Sequence, residues 1–161
     1  MGLRKSDEKI YSLRPEAVFG DDEQFISDRS HHKHTQYIIA ASEIFGLSRE
    51  DIELVSNIAR YHRKSPPVRT HLSYVSLDRE SRMIVSKLAA LLRVADALDQ
   101  DYSKKVKNLR LIKDDERNRY VLEAQADGDL TAERFSVEKK SDLFKAIFGK
   151  PLMLRQVDQL E

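Results

Sequence analysis

The chain has 161 residues, 34% of them charged and 40% apolar, a formal net charge of +1 and no cysteine. That length suits one domain, or a domain with a small appendix, and supports a hydrophobic core, while the missing thiols exclude disulfides and iron–sulfur clusters and leave any metal to His, Asp or Glu. No apolar run reaches the ~18 residues of a membrane span, and the polar start MGLRKSDEKIYSLRPE is no secretory signal, so a cytoplasmic protein with no membrane partner is expected.

Residues 1–24 have weak periodicity and hold an acidic knot, Asp21-Asp22-Glu23. They read as an N-terminal arm. Helical spacing begins near residue 29, with Ile38, Ile39, Ala41 and Phe45 expected on one side and Gly46 as the C-terminal stop. A second helix opens at Ser48, with Asp51 in the place of the capping-box acid. Its expected stripe is Ile52, Val55, Ile58 and Ala59, and it must end before Ser65-Pro66-Pro67.

His71 to Leu77 connects, as a short helical turn at most. DRESRMIVSKLAALLRVADALDQ, residues 78–100, is the strongest helix, apolar over much of its circumference through Ile84, Val85, Leu88, Leu91, Leu92 and Ala95. From about residue 105 the period changes to two. VKNLRLI and RYVLEAQ alternate as strands around a KDDERN turn, KSDLFKAIFG is a short helix closed by Gly149, and LMLRQV is a third strand. The fold class is therefore mainly α: a helical bundle with a small C-terminal α/β appendage.

Two constellations could carry chemistry. The first joins the histidines to an aspartate. His31, His32 and His34 begin the first helix, His62 follows the second, and Asp96 lies in register with Leu88, Ala89 and Leu92 on the third. A carboxylate in line with a buried stripe costs several kcal/mol unless paired or metal-bound. Side chains from three helices could converge as in helical metal hydrolases. Equally, Asp96 could pair with Arg60, Arg63 or Arg93, and the histidines could make ordinary hydrogen bonds.

The second constellation is ARYHRKSPPVRTH, residues 59–71, where Arg60, His62, Arg63, Lys64, Arg69 and His71 crowd into thirteen positions. Guanidinium forks suit phosphate oxygens, and a proline-held loop would pre-position them. The plainer alternative is a solvated basic turn. Nucleic acid is disfavoured by the near-neutral charge and the lack of a binding motif. There is no glycine-rich phosphate loop, no G-x-S-x-G and no H-E-x-x-H.

FISDRSHHKHTQYII, IARYHRKSPPVRTHLSY and RESRMIVSKLAALLRVADALDQ together resemble, in order and spacing, the C-terminal part of the Ppx/GppA family of exopolyphosphatases and guanosine pentaphosphate phosphohydrolases. KSDLFKAIFGKPLML is similar to that part's tail. The resemblance covers about residues 25–155. It implies an HD-domain-like helical domain over residues 25–104 and an α/β tail over 105–161. In the family this region lines the path of a long polyanion, and cleavage belongs to two actin-like domains for which 161 residues leave no room. The expectation is a stand-alone, exopolyphosphatase-type HD-like domain that binds polyphosphate or another phosphorylated ligand through Arg60, Arg63, Lys64, Arg69 and His71.

A rival expectation follows from the HD superfamily, whose hydrolases bind divalent metals. Matched by position, His31, His62 and Asp96 would be ligands, with His32 or Asp21 in support and Mn, Fe, Ni, Zn or Mg as the ion. The resemblance departs at FGDDEQ, where Gly20 replaces the histidine of the His-Asp doublet and Asp21 alone keeps its carboxylate. No other cofactor is implied. A third expectation is a catalytically silent regulatory module that forms a homodimer or serves a separate catalytic partner.

Overall fold

The structure is a computed structural model and describes residues 31–63, 65–99 and 101–159, with the backbone alone at His31 and His32. The expected arm, with Asp21, and the side chains of His31, His32 and Lys64 lie outside the described residues. In chain order the elements are α1 (His31–Ala41), α2 (Arg49–Arg60), α3 (Leu72–Val75), α4 (Arg79–Leu98), β1 (Val106–Asp114), β2 (Arg119–Ala126), α5 (Thr131–Lys140), α6 (Asp142–Phe148) and β3 (Leu152–Gln156). The fold is mainly α with a small α/β appendage. The chain divides into two compact units, Met1–Val85 and Ser86–Glu161, and the division falls within α4.

In the first unit α1 packs on α2. The inner side of α1 is Thr35, Gln36 and Ile39, spaced three and four apart as one helix face requires. This corrects the expected stripe. Ile39 is buried, but Ile38 and Phe45 are exposed. Adjacent positions point about 100° apart on a helix, so Ile38 and Ile39 cannot share a face, and α1 ends at Ala41, before Phe45. The terminator is Ser42, whose hydroxyl donates to the Ile38 carbonyl at 2.7 Å. Gly46 adopts φ 84° in the turn leading to α2 instead of stopping α1.

The capping box forms as expected. Ser48 Oγ accepts from the Asp51 amide at 3.1 Å, and Asp51 Oδ2 accepts from the Ser48 amide at 2.9 Å. The buried residues of α2 are Asp51, Leu54, Ser56, Asn57, Ile58 and Ala59. Ile52 and Val55 are only half-buried, so the inner face is rotated from the expected one and is partly polar. The helix stops at Arg60, ahead of the two prolines.

The residues of α4 that are buried are Val85, Ser86, Ala89, Ala90, Arg93, Val94, Ala97 and Leu98. The expected apolar set overlaps this only at Val85; Leu91 and Ala95 are exposed, and Ile84, Leu88 and Leu92 are half-buried. Small residues, not leucines, form much of the inner face.

In the second unit β1 and β2 form an antiparallel hairpin, and β3 lies parallel to β2 in a sheet ordered β1-β2-β3. A parallel neighbour cannot be reached by a tight turn. The crossover is supplied by α5 and α6. Of these, α5 had no counterpart among the predicted elements; its TAERFSVEKK sequence holds few apolar residues, and its Phe135 is exposed. The unit's buried apolar residues include Val121, Leu122, Ala124, Leu130, Val137, Leu143, Phe144, Leu152 and Leu154, with Tyr120 edge-on to Phe144 at 5.6 Å. On β2, Glu123 is buried and takes two bonds from Arg110 (2.9 and 2.6 Å) and one from Arg155 (2.5 Å).

Candidate functional site

The first unit holds a broad cleft of about 1420 Å³ lined by α1, the α1–α2 loop, α2 and residues 70–73. Its polar side is a connected set. Arg60, the last residue of α2, donates from Nη1 to Gln36 Oε1 at 2.6 Å. Gln36 Nε2 donates in turn to Ser73 Oγ at 2.9 Å and to Asn57 Oδ1 at 3.4 Å. The amide is thereby fixed with its oxygen toward the guanidinium.

Tyr61 follows Arg60 and is fully buried. Its ring lies 5.8 Å from the Arg60 guanidinium carbon and stacks on His71 at 5.5 Å and 20°. The Tyr61 hydroxyl meets His71 Nδ1 at 3.0 Å. Burial pushes the phenol up to about 12, with Arg60 pulling the other way. His71 is held below its ordinary value, first by loss of hydration and then by the positive charges of Arg60 and Lys33.

Arg60 has no carboxylate within ion-pair distance among the described residues, and neither do Lys33, Arg49 and Arg69. In the second unit Arg93, Lys105, Lys107, Arg110, Lys113, Arg119, Lys140, Lys150 and Arg155 face acids, whereas Lys87, Lys104, Arg134, Lys139 and Lys145 have none within ion-pair distance among the described residues. The cleft lining carries Lys33, Arg49 and Arg60 together with the carboxylates of Glu43 and Glu53.

Of the phosphate-contacting residues expected from sequence, the structure brings Arg60 and His71 together at the cleft. Arg63 is half-buried, and Arg69 is exposed in the loop before His71. Sequence reasoning missed Lys33, Gln36 and Tyr61. Lys33 and Tyr61 stand inside HHKH and RYHR, so proximity to the charged cluster was a usable signal; nothing local marks Gln36.

Of the expected metal ligands, only His62 and Asp96 have described side chains. His62 sets Nδ1 against the Ala59 carbonyl at 2.5 Å. The Asp96 carboxylate takes the ammonium of Lys140. Asp96 on α4 and Lys140 at the end of α5 both belong to the second unit. Among the described residues no three His, Asp or Glu side chains are grouped so as to hold a metal ion. Nor is any helix among them long and apolar enough to cross a membrane.

The fold defines a mainly helical domain with a small α/β appendage. The family model described as Ppx/GppA phosphatase, domain III, matches residues 23–139. The chain belongs to the Ppx/GppA phosphatase family, and what it carries is that family's domain III. No curated protein matches it.

Proposed function

We propose that the first unit binds polyphosphate or another phosphorylated ligand, with Arg60, His71 and Lys33 as its contacts. The supporting observation is how Arg60 is held. Its partners are the neutral Gln36 carbonyl and the face of Tyr61. They orient the guanidinium without cancelling its charge. A positioned, uncompensated guanidinium is the group best suited to phosphate oxygens. Kinship with exopolyphosphatases agrees with a polyanion.

Calorimetric titration with long-chain polyphosphate at low salt tests this. Binding should weaken steeply as salt rises, because each neutralised phosphate releases counterions. Arg60→Ala should weaken binding roughly 10-fold or more, the usual worth of a charge-assisted hydrogen bond. Arg69→Ala, in the exposed loop, should do less. Absence of binding, or an unchanged Arg60→Ala variant, removes the reading.

A further inference from the structure

We propose that Ser73 is a further phosphate-binding residue of this cleft, and that the Gln36 amide positions it together with Arg60, so that a hydroxyl and a guanidinium take one phosphate group. The proposal rests on the phosphate reading above and adds a contact and the group that sets it.

Gln36 on α1, Asn57 and Arg60 on α2 and Ser73 on α3 all line the cleft. Gln36 is the hub of their hydrogen bonds, and donor chemistry allows one direction through it. A guanidinium only donates, so the 2.6 Å bond from Arg60 Nη1 must end on Gln36 Oε1. The far end agrees. Asn57 Nδ2 donates to the Glu53 carbonyl at 3.0 Å, which leaves Asn57 Oδ1 to face Gln36 as an acceptor at 3.4 Å. Gln36 therefore presents Nε2 to Ser73, and an amide nitrogen only donates. In that 2.9 Å bond the Ser73 hydroxyl is the acceptor.

A hydroxyl that accepts still has its own proton to give. Among the described residues nothing accepts that proton; the other bond of Ser73 runs to its carbonyl, from the Ser76 hydroxyl. Ser73 is half-buried and lines the cleft, so the donor is open to a ligand. Arg60 keeps further N–H groups beyond the one on Gln36. Gln36 itself is buried, and its bonds engage both ends of the amide, which fixes both donors on one group. The neutrality of that group matters. A carboxylate in its place would cancel the charge of Arg60 and draw the Ser73 proton inward.

Calorimetry with sodium tripolyphosphate at low salt tests this. Ser73→Ala should weaken binding by about 10-fold or more, the worth of a hydrogen bond to a charged group. Its salt dependence should stay as in wild type, because a hydroxyl carries no charge. Gln36→Glu keeps the side-chain size and the bond to Arg60 but gives the Ser73 proton an acceptor. It should also weaken binding by about 10-fold or more, and it should flatten the salt dependence. In the Gln36→Glu background Ser73→Ala should cost little more, since the hydroxyl is already turned inward; an amide that only supported the fold would leave the two losses additive. Should Gln36→Glu fold poorly, Gln36→Met, neutral and of similar size, releases both donors and should shrink the Ser73→Ala loss in the same way. Wild-type affinity in Ser73→Ala, with Arg60→Ala impaired, overturns the Ser73 contact and leaves the phosphate reading standing. Undiminished binding by the Gln36 variants, or additive losses, overturns the positioning role. If wild type binds no tripolyphosphate, it is the phosphate reading that fails, and this proposal falls with it.

Discussion

Lys140, the last residue of α5, sets its ammonium on the Asp96 carboxylate of α4, and both side chains are only 17% exposed. Removing Asp96 strands the Lys140 ammonium, which is mostly out of water. Asp96→Ala should therefore lower stability by about 1–3 kcal/mol, read as a drop in melting temperature. Asp96→Leu/Lys140→Met should recover part of that loss, because neither charge then remains to be desolvated. Asp99 accepts from the Lys104 amide at 2.8 Å in an exposed turn, so Asp99→Ala should cost less. If Asp96→Ala melts like the parent, the pair contributes nothing.

The capping box at Ser48 and Asp51 satisfies two backbone donors at the start of α2. Ser48→Ala should cost about 1 kcal/mol in urea unfolding. Of the proposed contacts none lies at the start of α2, and Arg60 is at its other end, so polyphosphate affinity of the folded variant should change little. A variant that loses affinity while melting normally would show that the two ends are coupled.

Glu123 should shape the acid limb of stability. Arg110, and then Arg155, holds its carboxyl below the ordinary 4.5. Since the folded value is the lower one, the unfolded chain takes up the proton first as pH falls. The contribution is complete above 4.5 and is lost as pH drops through the folded value. Glu123→Gln should be less stable at neutral pH, and its melting temperature should fall less between pH 5 and pH 3. Parallel melting curves for the two proteins across that range would disprove the assignment.

Tyr61 and His71 should bracket stability from opposite sides. The Tyr61 phenol moves from 10.0 to about 12. A raised value means its contribution is complete below 10 and disappears as pH rises through about 12. Phenolate absorbance should show one tyrosine titrating late, and Tyr61→Phe should remove that step. His71 is shifted down from 6.5, so its contribution is present above 6.5 and is lost as pH falls from there through the folded value. His71→Gln should flatten that decline.

Features set by neighbouring residues were readable in the sequence. Ser48 and Asp51 stand three apart and share one turn of helix, so their exchange of hydrogen bonds needed nothing but the backbone of α2. Two prolines bar a helix whatever surrounds them, and α2 does end before them. The alternation of VKNLRLI and RYVLEAQ around a polar turn was enough for the β1–β2 hairpin. The family kinship was legible too, because HHKH, RYHRKS and LLRVADALD are local strings.

Which face of each helix turns inward, and which distant partner a side chain meets, only the tertiary structure decided. Arg60 finds Gln36 across 24 positions, Tyr61 finds His71 across 10, and Asp96 finds Lys140 across 44. A carboxylate on an apolar helix announces that it needs a partner, but several cations could have served; the one that does is Lys140, which belongs to the same unit as Asp96. Phe45, counted with an apolar stripe, stands in solvent because α1 ends four residues earlier. The physical reason is common to all of these. Hydrogen bonds of caps and turns are closed by the chain's own geometry over a few residues, whereas burial and charge pairing depend on where other elements come to rest.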